Sequence, residues 1–311
     1  MASTDHPKTI GTFLASRVTG DNPTRPCVLV AAFEGWNDAG SAATDAVRRL
    51  VSDTEVEHLA TVGDDDYYDY QFTRPRQELT TTGTTIRWPQ TDLFKVPNPQ
   101  GNFDLVVALG VEPTFSWRAF CAEIIEVAQD QNVQLMLGVG ALLADVPHTR
   151  PVPCLLNTND KVLQDYFGYS TSSYEGPAGI PSVLGHECSD AGIPSLSLWA
   201  QLSHYVSQSP SPRVQLALAE LIDDLLPWEL SLDQLREDAL AWQHGVEELA
   251  ASEPEIARYV TQLEEASDAQ SIPEASGESI AREFERYLRR RSRYRGEGPD
   301  QDPEGPPPFG Q

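Results

Sequence analysis

Cysteine is scarce. The four present, Cys27, Cys121, Cys154 and Cys188, are all far apart in the chain. No Cys-x-x-Cys pair is available for zinc or redox chemistry, and a chain of 311 residues can build a core without a disulfide framework. Long apolar runs are also missing: none reaches the length of a membrane-spanning helix. The opening MASTDHPKTIGTF has no apolar stretch of signal-peptide length. Basic residues are outnumbered, 22 Lys and Arg against 47 Asp and Glu, for a formal net charge of -25. That balance argues against nucleic-acid binding and against an anionic membrane surface. The composition predicts a soluble, acidic, cytoplasmic protein.

The common catalytic signatures are absent too. Ser41 has no Gly-x-Ser-x-Gly context, and Gly138-Val-Gly140 lacks the third glycine of a dinucleotide loop. There is no Gly-Lys-Thr phosphate loop and no His-Glu-x-x-His pair. No catalytic nucleophile, metal or cofactor is expected.

What is there is alternation. Cys27–Phe33 is a continuous apolar run that reads as a strand buried on both faces. Asp38 is an N-cap for a helix to Leu50, and a second strand follows over 55–61, giving a βαβ unit. Residues 64–96 begin Asp-Asp-Asp-Tyr-Tyr-Asp-Tyr and read as a long loop, then a hairpin or edge extension. Further strands are expected at 103–111, 133–139, 152–156 and 193–200, and helices at 114–131, 160–167 and 180–190. This predicts an α/β fold with a parallel or mixed sheet covered on both faces.

The charge density changes along the chain. Residues 1–208 carry 12 basic and 25 acidic groups, and residues 209–311 carry 10 and 22, so the shorter part is about twice as dense in charge. The expected organisation is an N-terminal arm at 1–24, an α/β core at 25–228, a helical region at 229–295 and a disordered tail at 296–311. Arg282, Arg286, Arg289, Arg290, Arg291, Arg293 and Arg295 suit the C-terminal end of a helix over 278–291. They offset the acidic helices or meet an acidic partner.

In a parallel sheet, ligands bind beyond the carboxyl ends of the strands. That rule selects Glu34, Asn37 and Asp38 after the first strand, Glu112 after the third, His148 and Arg150 after the fourth, and His204 after the last. Glu34 and Asp38 suit acid–base work or a divalent cation, or simply a cap and a loop ion pair. His148 and Arg150 suit a phosphate or carboxylate, or a loop pinned to backbone carbonyls. Tyr67, Tyr68, Tyr70 and Phe72 form a candidate partner surface.

Phe33-Glu-Gly-Trp-Asn-Asp-Ala-Gly40 resembles the signature of the proteasome assembly chaperone 2 family, in its actinobacterial branch. Leu109-Gly-Val-Glu-Pro113, Asp145-Val-Pro-His-Thr-Arg-Pro151, Tyr174-Glu-Gly-Pro-Ala-Gly-Ile180, Ser197-Leu-Trp-Ala200 and His204-Tyr205 follow in order, and Glu283-Phe-Glu-Arg-Tyr-Leu-Arg289 is similar to the same branch. The resemblance implies a three-layer α/β/α, phosphorylase/hydrolase-like mixed sheet with a C-terminal helical appendage. It implies a homo-oligomer, with a trimer as the form suggested. It also implies a non-catalytic, protein-binding assembly chaperone, because eukaryotic relatives hold proteasome α-subunits during ring assembly. Many eukaryotic assembly factors dock by a hydrophobic–Tyr–any-residue C-terminus, from which Pro308-Phe-Gly-Gln311 departs. The competing expectation is an enzyme acting on a small phosphorylated or nucleoside-like substrate at the carboxyl edge of the sheet. A deep pocket would favour the enzyme, and a shallow rim of mutually bonded groups the scaffold; the shallow case is expected.

Overall fold

The computed structural model describes residues 8–17, 25–52, 55–63, 65–81, 83–99 and 101–270. The chain divides into two units, 1–264 and 265–311; of the second, residues 265–270 are described and end the last helix. The expected helix over 278–291, its arginines and the 296–311 tail lie outside the described residues.

The elements run α1 (Ile10–Arg17), β1 (Cys27–Glu34), α2 (Ala42–Ser52), β2 (Glu57–Val62), β3 (Arg76–Thr80), β4 (Gly83–Arg87), β5 (Thr91–Val96), β6 (Asp104–Val111), α3 (Trp117–Asp130), β7 (Val133–Ala144), β8 (Cys154–Asn157), α4 (Lys161–Phe167), α5 (Ile180–Asp190), β9 (Ser195–Ser203), α6 (Pro212–Leu225), α7 (Asp233–Ser252) and α8 (Pro254–Gln270). Seven strands form one mixed sheet in the order β2-β5-β6-β1-β7-β9-β8. β6, β1, β7 and β9 are parallel, while β5 runs against β6 and β8 against β9.

The alternation of β1 explains the two covering layers. Val28, Val30 and Ala32 point into a cluster with α1, α2, α4 and α6. Cys27, Leu29, Ala31 and Phe33 point into a second cluster with α3 and α5. Both faces are dry, so the strand reads as an unbroken apolar run. Burial pushes the Cys27 thiol up to about 11 and the Cys121 and Cys188 thiols up to about 12, so all three act as small hydrophobes.

Several expectations change. Residues 76–87 do form a hairpin, β3–β4, but 91–96 is an interior strand between β2 and β5's other neighbour β6, not an edge. Asp92 and Lys95 gave that segment a solvated look, although Leu93 and Val96 are fully buried. β2 runs parallel to β1 yet is separated from it by β5 and β6, so the βαβ unit is a wide crossover. The N-terminal arm contains α1, whose Ile10, Phe13 and Leu14 are buried in the first cluster. Leu232, Leu235 and Val246 belong to that cluster as well, so α7 packs on the main core.

One glycine of α7 has no structural reason to be glycine. Gly245 lies inside α7, and a Cβ there would meet nothing within 4 Å. Gly245→Ala is expected to raise stability by about 0.5–1 kcal/mol, because alanine has less backbone entropy to lose in a helix. Urea denaturation of the two proteins checks it.

Candidate functional site

The chain leaves β1 toward α2 in one layer and leaves β6 toward α3 in the other. The strand ends between these two exits therefore form a topological switch point, where open α/β sheets hold ligands. Glu34 and Glu112 stand there side by side: Glu112 N–H donates to the Glu34 carbonyl at 2.9 Å. The loop that follows β1 reaches across to β7, where Asp38 bridges to Ala141.

The polar groups at this point are occupied with one another. Glu112 Oε1 accepts from Asn37 Nδ2 at 3.0 Å and from the Ile180 backbone N–H at 2.9 Å, at the first residue of α5. Gly179 permits this approach, since a Cβ there would lie 1.8 Å from Asn37 Nδ2. Glu34 faces two guanidinium groups, Arg48 at 3.7 Å and Arg87 at 3.8 Å. Asp38 caps α2: its Oδ1 accepts from Ala43 N–H at 2.8 Å and Thr44 N–H at 3.2 Å, and its Oδ2 from the Thr44 hydroxyl. Burial pushes the Asp38 carboxyl above its usual range, and the Thr44 and Ala43 bonds pull against that rise.

The Asp38 cap gives a direct contrast. Asp38→Ala removes every one of those acceptors and should cost about 2 kcal/mol. Asp38→Asn keeps an oxygen for the two backbone N–H groups and should cost less than half as much. Chemical denaturation of both variants checks the ordering.

On the α2 side an open polar groove of about 340 Å³ runs along Glu34, Gly35, Asp38, Ser41, Asp45 and Arg48. Arg76, from the hairpin, completes the wall.

His148 and Arg150 lie on the same carboxyl edge, beyond β7, but in a second group. The Tyr205 hydroxyl accepts the His148 backbone N–H at 2.8 Å and lies 2.7 Å from His148 Nδ1. Arg213, the second residue of α6, donates to the His148 and Arg150 carbonyl oxygens. Arg150 pairs with Glu264 of α8 at 3.1 Å, Thr149 donates to the same carboxylate, and Tyr259 donates to Asp145 at 2.9 Å. This loop is thus a clasp that holds α8. Burial, then the Arg213 charge, pushes the His148 imidazole below its ordinary value, against the pull of Glu247 and Glu264. His204 is exposed on the turn after β9.

Tyr67 and Tyr68 are not surface. They are 4% and 2% exposed, with the Tyr67 hydroxyl donating to Glu123 and the Tyr68 hydroxyl to the Val111 carbonyl at 2.9 Å. Tyrosine is apolar over its ring and polar at its tip, so a run of them fits a core as well as an interface. Tyr70 is half-buried against Trp88, with ring centroids 4.8 Å apart. Phe72 is 85% exposed. The Tyr67 carbonyl accepts from Thr114 and Phe115 N–H, which brings exposed Phe115 beside this turn.

Arg213, Glu264 and Phe115 do not stand out as site residues in the sequence. Arg213 and Glu264 carry no local signal, because only the packing of α6 and α8 brings them to the His148 loop. Among the described residues no cluster of His, Cys, Asp or Glu is arranged to hold a metal ion, and no helix is long and apolar enough to cross a membrane.

A model of the PAC2 family matches residues 32–250. The chain is similar to a PAC2 family protein from Streptomyces avermitilis: 45% identity, 75% of this chain and 99% of that one, TM-score 0.70. It is similar to a proteasome-assembly chaperone homologue from Mycobacterium tuberculosis: 40% identity, 75% and 99% coverage, TM-score 0.68. A second M. tuberculosis protein, of unknown function, is 27% identical over 80% of this chain and 87% of its own, with TM-score 0.70. No curated protein matches the chain.

Proposed function

Because this chain belongs to the PAC2 family, we propose that it is a non-catalytic, protein-binding assembly factor of the chaperone type, cytoplasmic and homo-oligomeric, with proteasome subunits as the partner class to test first. The observation that carries this reading is how the switch point is filled. Glu112, Asn37 and Asp38 give their bonds to each other, to α5 and to α2, rather than converging on a reacting atom. Meanwhile Trp36, Phe72, Trp88 and Phe115 stand exposed around the same end of the sheet, at 64%, 85%, 51% and 51%. Aromatic surface held by a rigid turn is what a protein interface uses for its central contacts.

The hairpin supports self-association. An isolated two-stranded ribbon is marginal in water. In this one Leu79 and Ile86 share a face with Gln77 and Thr84 and remain exposed. A trimer is the form we test. Light scattering behind size exclusion should give a defined oligomer for the native chain and a monomer for the Leu79→Glu, Ile86→Glu double variant. Capture from a native lysate should then retain proteasome subunits, and Phe72→Ser with Phe115→Ser should lose them without changing the oligomer. Retention of no proteasome subunit would overturn the partner assignment.

The groove of about 340 Å³ favours a second reading. Its size and its position at the switch point suit an enzyme acting on a small phosphorylated or nucleoside-like substrate. Glu34→Gln and Arg48→Ala abolishing turnover of such a compound would establish it.

A further inference from the structure

The β3–β4 hairpin has one charged face and one uncharged face. Its register pairs Arg76 with Arg87, Glu78 with Thr85 and Thr80 with Gly83 on one side, and Gln77 with Ile86 and Leu79 with Thr84 on the other. In an ordinary surface ribbon the charged side would face water. In this one it is turned toward the body of its own chain. Arg87 lies 3.8 Å from Glu34 and 3.6 Å from Glu78, and Arg76 stands in the wall of the polar groove with Glu34 and Arg48. Arg48 in turn lies 3.7 Å from Glu34. The outward side carries no charge: Leu79 is 90% exposed and Ile86 48%, with Gln77 and Thr84 exposed beside them.

Two features call for a cover. The ribbon is two-stranded, and neither of its outer edges has a strand partner among the described residues. Unpaired edges beside an uncharged, partly apolar face are a template for association, which proteins ordinarily blunt with charge. The cover that fits is a second copy of this chain. At a net charge of -25 two copies repel one another over most of their surfaces, so a contact between them belongs where charge is missing. A basic partner, drawn by the net charge, would gain nothing from this face.

We infer that Glu34 is the latch of an intersubunit arm: through Arg87 it holds the hairpin with its uncharged face outward, where a second copy covers it. The latch rests on the self-association reading and adds the residue that presents the arm. Glu34 acts through Arg87, so it is a positioning residue for the interface. The groove and the interface are then the two faces of one ribbon. The pairs to Glu34 are longer than hydrogen bonds and part-exposed, so neutralising one of them would change little. Reversing a charge is the stronger perturbation, because Arg87→Glu sets a third carboxylate beside Glu34 and Glu78.

Sedimentation velocity of the full chain over a concentration series reads the association. Arg87→Glu should weaken it by about tenfold or more. Glu34→Arg, an independent reversal of the same pair, should weaken it as well. The two reversals together should restore association to within about threefold of native. Circular dichroism confirms the fold of each variant. With no variant at all, diluting the native protein from oligomer to monomer should speed hydrogen exchange of the 76–87 amides as they lose their cover. A native chain that stays monomeric would overturn both the self-association reading and the latch. So would an oligomer indifferent to Leu79→Glu with Ile86→Glu and to Arg87→Glu alike. An oligomer that Leu79→Glu with Ile86→Glu dissociates and that Arg87→Glu leaves unchanged would overturn the latch alone. A double reversal that associates no better than Arg87→Glu would do the same.

Discussion

Gly110→Ala will lose about 3 kcal/mol of stability or more, and the protein is expected to be largely insoluble when made at 37 °C. Gly110 lies in β6 opposite Thr91 of β5 and Phe33 of β1. A Cβ at this position would stand 2.2 Å from the Gln90 carbonyl oxygen and 2.3 Å from Thr91 Cα. Both are backbone atoms of the neighbouring strand entry, so no side chain can turn aside to make room. β5 would have to move away from β6, and β2, which among the described residues pairs with β5 alone, would move with it. Gly140→Ala meets a different obstacle, the Trp199 ring at 2.3 Å, which can rotate. It should cost clearly less. Denaturant midpoints of the two variants, with circular dichroism to confirm the fold, check the order.

Stability will fall as the solution is acidified below about pH 6.5, through His148. Its imidazole is held below its ordinary value by burial and by Arg213. In the unfolded chain it takes a proton near its reference value, while in the folded chain it stays neutral. Over that window the unfolded state binds more protons, so unfolding becomes easier as pH drops, by up to about 1.4 kcal/mol per pH unit for one such group. The loss ends once pH falls below the folded value. The groups facing the ring are Tyr205 from the turn after β9, Arg213 from α6, Glu247 from α7 and Glu264 from α8. Protonation places a second cation beside Arg213. The clasp on α8 should loosen first. His148→Gln should flatten stability against pH between 5 and 7, measured by urea unfolding. Arg213→Gln should make the fall smaller and end it at higher pH, because one of the two causes of the lowered value is gone.

The central strands were legible because both their faces are buried. Cys27–Phe33 and Leu105–Leu109 have no polar residue to confuse the pattern. The helices α3 and α5 showed their buried stripes, Phe120, Cys121, Ile124 and Ile125 in one, Ile180, Leu184 and Cys188 in the other. β5 was not legible, since Asp92 and Lys95 are only partly buried and give the segment a solvated pattern, and its partner β2 lies on the far side of the hairpin in the chain. The residues after each parallel strand could be listed in advance, because chain direction alone puts them at one edge. Which of them touch could not. Glu112 finds Asn37 through the position of α5, and His148 finds Arg213 through the position of α6; neither helix announces its docking angle in its own residues. The tyrosine run misled for a chemical reason: a phenol ring buried with its hydroxyl satisfied has the same local sequence as one waiting on the surface.

The wide crossover from β1 to β2 sets an order of events during synthesis. β2 leaves the ribosome about thirty residues before β5, its hydrogen-bonding neighbour in the sheet, a delay on the order of a few seconds at ordinary elongation rates. Until then its backbone donors and acceptors are exposed, and the place beside β1 that belongs to β6 stands open. A nascent chain in which β2 settles against β1 would be locally content and globally wrong, trapped with two strands shut out. Codon choice over residues 63–111, or a chaperone that shields β2 until β6 has emerged, is where yield of the native protein will be won or lost.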